Sequence, residues 1–336
     1  MRLFLLISLI GFCQATPQFI YQNDMSNLEY NNLIATQNFK EFKVYFNKKY
    51  IDLNEELYRF DVFKYNFNKI NEWNNNNYSS FNLSLNQFSD LYTNEFANLH
   101  NGYRYKSTKR ENDNFKYNNN LPDNVNWVDK NVVNTIKNQG HCGSCYAFSS
   151  IQALESAWAI KTGNLYNLSE QEIIDCDKLD EGCDGGLMEN VFDWIRDNGG
   201  MTTTGNYTYT GHEGVCYFKK NQSVVEVKGY VSIPNNSLAV MSAIVQQPVS
   251  VAINANTFSF QFYRSGVYDP FFCKSDDSSL DHGVGIVGYG TLKSKDYFLV
   301  RNSWGETWGD KGYIFMARGD DKNTCGILND VIYPVV

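Results

Sequence analysis

Histidine is scarce in this chain, with four residues in 336, at positions 100, 141, 212 and 282. Any imidazole chemistry must therefore be assigned by elimination among them. A lysine and arginine stripe is missing as well. With 29 basic against 37 acidic residues and a net charge of −8, the chain offers no basic footprint for a nucleic-acid backbone. No apolar run beyond the first residues is long enough to cross a bilayer, so no membrane span is expected. Nor does the chain lack core material. Its 43% hydrophobic and 15% aromatic content supports one large domain or two of moderate size, and excludes a disordered or fibrous protein.

The opening residues have the form of a secretory signal, residues 1–15. Arg2 precedes an apolar run over residues 3–12, and Cys13-Gln14-Ala15 offers a small-residue cleavage site. The remainder is expected in the secretory pathway, bound for a lysosome or vacuole or for the outside of the cell, where disulfides persist.

The stretch that carries chemistry is Asn138-Gln139-Gly140-His141-Cys142-Gly143-Ser144-Cys145-Tyr146-Ala147-Phe148. Phe148, Ile151, Leu154 and Trp158 recur at helical spacing, and Lys161-Thr162-Gly163 ends the pattern. Cys145 then stands at a helix N-terminus, where unpaired N–H groups and the helix dipole favour a thiolate, the nucleophilic form. A second reading of the same stretch is a redox pair, Cys142-x-x-Cys145. With Cys145 set aside and Cys13 lost with the signal, six cysteines remain, an even number whose pairing the sequence leaves open. Among the histidines, His100 falls in the leading segment, His141 in the cysteine loop and His212 in a Tyr-Thr-Gly-rich turn. His282 opens an apolar, Gly-alternating strand, the place from which a base can face a cleft.

Along the chain, residues 28–74 read as helical, with Phe39, Phe42, Tyr45 and Phe46 along one face and a break at Asn47-Lys48-Lys49. Glu55, Arg59, Phe63, Asn66, Ile70 and Asn74 follow at intervals of three or four residues and share a face, with Glu55 and Arg59 placed for an ion pair. Residues 79–90 read as a strand-like piece, and residues 106–120 as an exposed polar linker open to proteolysis. The mature N-terminus is placed between about Phe115 and Leu121. Helices are expected over 145–161, 169–175, 187–198 and 238–246, and strands over 224–231, 249–253, 283–290, 297–300 and 313–317. A helical half followed by a β-rich half predicts an α+β unit of two lobes, with a cleft between them. Charge divides unevenly. Residues from Leu121 onward carry 25 acidic and 16 basic residues, net −9, against 12 and 13 before them, which suits a segment released by a change of pH.

Cys-Gly-Ser-Cys-Tyr, with His282 and Asn302 far downstream, resembles the papain family of cysteine proteases and most nearly its cathepsin L-like branch. The six residues of the helix face, with Asn86, Phe88 and Asp90, resemble the prosegment of that branch. Ser84 stands where that prosegment motif begins with Gly, and Tyr146 where most relatives have Trp.

The resemblance implies a papain-like two-lobed fold behind a helical, I29-like inhibitory prosegment. The prosegment would cover residues 16–120 and the peptidase domain 121–336, with a helical lobe of about 121–221 and a β-rich lobe of about 222–336. It implies a cysteine endopeptidase zymogen, activated at acidic pH, with Cys145 as nucleophile, His282 as base, Asn302 orienting the base under Trp304, and Gln139 donating to the oxyanion. It implies disulfides Cys142–Cys183, Cys176–Cys216 and Cys273–Cys325. A peptide backbone would pair at Gly185 and Gly186, and its side chain would enter a pocket of Leu187, Met188, Ala252, Leu280 and Asp330, the last placed to receive arginine. The implied partners are protein and peptide substrates, the chain's own prosegment as inhibitor, and cystatin-like inhibitors of a monomer, with no cofactor and no metal. Glycan acceptor patterns occur at Asn77, Asn82, Asn167, Asn206, Asn221 and Asn235. Two other classes of function remain open at this point, a disulfide oxidoreductase and a catalytically silent binder that uses the prosegment fold to occupy other proteases.

Overall fold

Two helices begin the described chain, α1 (Leu28–Tyr45) and α2 (Leu53–Asn75), and they pack as a hairpin through phenylalanines. Phe39 and Phe42 meet Phe63 with ring centroids 5.2 Å and 5.1 Å apart, all three buried. Burying a ring of this size contributes on the order of 1.5–3 kcal/mol. Asn47 reverses the chain in the left-handed region at φ 49°, which Asn tolerates better than most residues. Asp52 then caps α2 by accepting from Glu55 N. The computed structural model describes residues 19, 28–76, 79–105, 115–118, 120–319 and 322–336, with backbone alone over 28–31. The expected signal, Asn77 and most of the polar linker lie outside the described residues.

The polar residues on the signature face of α2 bind backbone. The pairing of Glu55 with Arg59 does not form: Glu55 Oε2 accepts from Ile51 N at 2.6 Å, and Arg59 donates to Glu95 at 3.0 Å and to the Asp90 carbonyl at 3.1 Å. Asn66 Nδ2 donates to the carbonyls of Ser89 and Leu91, and Asn74 holds both backbone groups of Leu83. Burial of unpaired carbonyls is costly, whereas an exposed i,i+4 pair contributes a few tenths of a kcal/mol, so the carbonyls win. The strand expected over 79–90 shortens to β1 (Phe81–Leu83) for a related reason. Asn86 Oδ1 accepts from Phe88 N at 2.9 Å and bends the chain into a turn. A helix that the spacing did not suggest, α3 (Thr93–His100), follows.

Beyond residue 120 come β2 (Val125–Asn126), α4 (Cys145–Thr162), α5 (Glu170–Cys176), α6 (Met188–Asn198), β3 (Gly229–Ser232), α7 (Ser237–Ile244), β4 (Val249–Ile253), α8 (Phe258–Gln261), β5 (Tyr263–Tyr268), β6 (His282–Leu292), β7 (Lys295–Arg301), β8 (Tyr313–Gly319), β9 (Lys322–Asn323) and β10 (Asp330–Val335). Among the described residues the strands order as β1-β5-β8-β7-β6-β4-β10-β3, with β2 on β6 and β9 on β8, and of these described pairs only β5 and β8 run parallel. The expected strand over 224–231 starts later, at Gly229. β5 and β10 escaped the pattern because Gly266 and Pro334 interrupt their apolar runs. The chain enters on the sheet side through β2 before it crosses to the helices.

Two cores result. Phe39, Phe63, Phe81 and Phe96 of the leading segment share one with Phe260, Tyr268, Trp304 and Trp308 of the sheet. α4, α5 and α6 form the other, which also takes in Tyr103. α4 is buried on almost every side and ends at Gly163, whose φ of 79° favours glycine. Disulfides join Cys142 to Cys183, Cys176 to Cys216 and Cys273 to Cys325, and Cys145 is free.

Because the leading helices hold together through few large rings, Phe63→Ala should destabilise that hairpin by about 3–5 kcal/mol. Urea unfolding of the full-length protein should show an early transition moved to lower denaturant and a later one unchanged. Identical curves for variant and parent would refute this account of the hairpin.

Candidate active site

The cleft runs between the N-terminal end of α4 and the start of β6. Cys145 is the first residue of α4, and the loop before it is tied down by the half-buried Lys137, whose Nζ lies 2.7 Å from the buried Glu155 and 2.6 Å from the buried Glu170. Across the cleft His282 pairs with Ile253 in the sheet, and its neighbour Gly283 comes so close that a Cβ there would lie 3.0 Å from the Cys145 carbonyl oxygen. Glycine at 283 is what lets the walls meet.

The His282 ring is oriented from behind. Its Nε2 lies 2.9 Å from Asn302 Oδ1, which also accepts from Ser303 N at 2.8 Å. That oxygen is thus an acceptor, so Nε2 carries the proton and Nδ1 the lone pair. Trp304 stacks on the ring at 4.5 Å and is itself wholly buried, which keeps water from the His282–Asn302 bond. Nδ1 is buried and has no hydrogen-bond partner among the described residues.

Gln139 is held by Ser303 Oγ, which donates to its Oε1 at 2.7 Å. Its Nε2 donates to the Cys142 carbonyl at 2.9 Å and to the His100 carbonyl at 2.8 Å. The latter belongs to the leading segment, which lies in the cleft from His100 to Arg104. Gly102 N donates to Cys145 Sγ at 3.2 Å, and Tyr103 N to the Asp281 carbonyl at 3.0 Å. Gly186 N donates to Gly102 O at 2.9 Å and Gly186 O accepts from Arg104 N at 3.0 Å, a parallel bridge at Tyr103.

Tyr103 is buried in one cluster with Met188, Ala252 and Leu280, with Leu187 packed against it, and its hydroxyl donates to Asp330. The structure therefore gathers Cys145, His282, Asn302, Gln139 and Trp304 at one end of a groove. Gly185, Gly186, Leu187, Met188, Ala252, Leu280 and Asp330 surround the adjoining pocket. Spacing gave no sign of Ser303, nor of the strap His100-Gly102-Tyr103-Arg104, because a segment that binds through its backbone leaves little pattern in its side chains.

Electrostatics differ from the expectation for an isolated helix end. Burial under the strap pushes the Cys145 thiol up to about 11, against the pull of the Gly283, Gly102 and Tyr146 N–H groups. Burial pushes His282 down to about 4, against its bond to Asn302. In the covered state the pair is thiol and neutral imidazole, because desolvation outweighs the helix dipole. Cys142 is bonded to Cys183, so the redox reading of Cys142-x-x-Cys145 has no pair to act through.

Comparisons with known proteins agree with this architecture. The model of the papain family cysteine protease domain matches residues 121–335, and that of the cathepsin propeptide inhibitor domain (I29) matches residues 39–96. The chain is 44% identical over 298 residues to a KDEL-tailed cysteine endopeptidase of Arabidopsis thaliana, covering 84% of this chain and 81% of that one. It is 41% identical over 321 residues to cathepsin L1 of Drosophila melanogaster, covering 90% and 86%. The structure of a digestive procathepsin L 3 from the Tenebrio molitor larval midgut superposes with a TM-score of 0.83 at 34% identity, over 90% of this chain and 99% of that one. This chain belongs to the papain family of cysteine proteases, as an endopeptidase zymogen with a cathepsin-type propeptide ahead of its protease domain.

Proposed function

We propose that the chain enters the secretory pathway as an inactive precursor and, once acid and proteolysis remove residues 16–120, cleaves peptide bonds through Cys145, His282, Asn302 and Gln139. One observation supports this reading above others: the strap occupies the nucleophile and the oxyanion donor together, through Gly102 N on Cys145 and the His100 carbonyl on Gln139. With the strap gone, His282 Nδ1 takes the Cys145 proton and the thiolate attacks the scissile carbonyl carbon. A C–S bond forms, and the oxyanion is held by Gln139 Nε2. Collapse breaks the C–N bond as His282 gives its proton to the leaving amine. Water, deprotonated by His282, then attacks the thioester carbon; the C–S bond breaks, the acyl part leaves as a carboxylic acid, and His282 returns the proton to sulfur. The peptidase unit in this proposal is 121–336, with lobes meeting near residue 221, acting as a monomer that cystatin-like inhibitors block. The five described glycan acceptors, Asn82, Asn167, Asn206, Asn221 and Asn235, are exposed, as that modification requires.

Acid release has a physical basis in His100. Its ring is 2% exposed between Phe88, Phe96 and Trp304, with His141 at 5.5 Å. Burial pushes it down to about 3, and His141, His282 and Lys48 push the same way, against the Gly140 carbonyl. Its pKa in the docked state lies below the ordinary 6.5. Docking is therefore fully favoured above pH 6.5 and weakens as pH falls toward about 3. Protonation of His282 opposes docking in the same direction. The Asp330 carboxylate, met here by the Tyr103 hydroxyl, is proposed to receive arginine as well as to border an apolar site.

Three outcomes follow. Gly102→Ala should expose the thiol, since a Cβ at 102 would lie 1.7 Å from the Gly143 carbonyl oxygen. Alkylation of Cys145 in the full-length variant should then be much faster than in the parent, and equal rates would mean that the strap does not guard the sulfur. His100→Phe keeps the ring packing without the charge. It should slow release by about tenfold at a pH about one unit below the midpoint for the parent, one proton's worth of linkage; an unaltered pH profile would remove His100 from the mechanism. Activated Asp330→Ala should lose arginine acceptance in a peptide library while retaining apolar residues, and an unchanged profile would exclude Asp330 from specificity.

A further inference from the structure

A single hydroxyl joins both ends of the loop that leads to the nucleophile. Tyr209 lies between α6 and β3, and its Oη donates to the Gln139 carbonyl at 2.6 Å. The same oxygen lies 3.0 Å from Ser144 Oγ. A carbonyl can only accept, so the phenol proton is committed to Gln139 and Ser144 supplies the proton of the second bond. Gln139 and Ser144 are wholly buried, and Tyr209 is half-buried. The hydroxyl thus ties the amide read as the oxyanion donor to the residue just before Cys145.

Other contacts fix the rest of the loop but not this carbonyl. The Ser144 carbonyl accepts from Ala147 N at 2.9 Å and Phe148 N at 3.2 Å, which starts α4. Gln139 N donates to the Ser303 carbonyl at 2.9 Å, and Ser303 Oγ holds its side chain. The 139–140 peptide leads into Gly140, at φ 63° and with open space where a Cβ would stand. Glycine leaves that peptide free to rotate unless its carbonyl is held.

Tyr209 is itself anchored. Gln171 Oε1 of α5 accepts from Thr210 N at 2.8 Å and Gly211 N at 3.3 Å, and Phe148 of α4 meets the phenol ring edge-on at 5.1 Å. Burial pushes the hydroxyl's pKa up, with the charges of Glu170 and Cys145 acting the same way and Ser144 against them. It therefore keeps its proton, and with it the bond to Gln139.

The strap indicates what the hold is for. Gln139 Nε2 carries two N–H groups, one spent on the Cys142 carbonyl within the loop and the other on the His100 carbonyl of the strap. Removal of the strap frees the second for a reacting oxygen. A misplacement of about 1 Å in such a group can cost on the order of 10²-fold in rate. We infer that Tyr209 is a positioning residue for the oxyanion site, its hydroxyl holding the Gln139 main chain so that Nε2 keeps one N–H aimed at that oxygen. This rests on the reading of Gln139 as the oxyanion donor. Tyr209 touches no reacting atom and acts through Gln139.

The test compares two reactions of Cys145 that differ in their need for the site, in precursors activated by an added acid protease. A peptide aldehyde takes the thiol across its C=O: an S–C bond forms, the carbonyl π pair moves to oxygen, and the thiol proton ends on that oxygen, beside Gln139. Alkylation by iodoacetamide also forms an S–C bond, but releases iodide and the thiol proton and creates no oxyanion. Tyr209→Phe keeps the ring and its packing on Phe148. It should bind the aldehyde about tenfold more weakly and lower kcat by a similar factor at unchanged KM, about one hydrogen bond's worth, while its alkylation rate equals the parent's. In Gln139→Ala, adding Tyr209→Phe should cost nothing further. Aldehyde affinity at the parent's level in Tyr209→Phe, with Gln139→Ala weakened, would overturn this inference alone. So would alkylation slowed as much as aldehyde binding is weakened, or losses that add in the double variant, since either marks a general disturbance of the fold. Parent-like aldehyde binding by Gln139→Ala would instead remove the oxyanion reading, and this inference with it.

Discussion

The precursor depends on one close approach of backbone to backbone. Gly102 of the leading segment lies so close to Gly143 of the cysteine loop that no Cβ would fit on it, and its carbonyl accepts from Gly186 N at 2.9 Å. Everything that covers the site passes through that contact: the N–H on the sulfur, the carbonyl on Gln139, the phenol ring at Asp330. Because most of the grip is made by main-chain groups, it supplies shape and hydrogen bonds that few side-chain changes can alter. The larger part of the anchoring is elsewhere. β1 adds to the sheet beside β5, and the phenylalanines of α1, α2 and α3 extend the core around Trp304 and Trp308. Apolar area holds the segment down, and the glycines determine where it lies.

Water exclusion follows directly from the strap and sets the charge state of the site. Desolvation makes an isolated thiolate or imidazolium costly, so the covered pair is neutral. The same two groups, exposed to solvent, stabilise each other as ions. Inhibition is thus electrostatic as well as steric. His100 of the strap and His282 of the site are shifted in the same direction, since both prefer the neutral form while buried.

Carboxyl groups behind the cleft show the opposite sign of the same effect. Burial raises Asp177 and Asp180 toward the neutral acid, just as it lowers the histidines toward the neutral base. Buried acids and buried bases of this chain thus shift in opposite directions. This division arises from ordinary desolvation acting on groups of opposite charge type, with no metal or cofactor invoked.

Legibility in the sequence varied with the range of the interaction. The helix after Cys145, the phenylalanine faces of α1 and α2 and the glycine-alternating strand after His282 were readable, because period and caps are local properties of the chain. The short extent of β1 and the failure of Glu55 to pair with Arg59 were not, since each was decided by backbone groups seeking partners, and β10 was hidden by the proline that interrupts its apolar run. By itself the sequence determined the candidate chemistry, in Cys145, His282, Asn302 and Gln139, and the prosegment pattern ahead of it. Only the tertiary structure decided that His100-Gly102-Tyr103 lies across that chemistry and that the sulfur is protonated beneath it. Those outcomes turn on desolvation and on backbone contacts between residues far apart in the chain, quantities that no local pattern encodes.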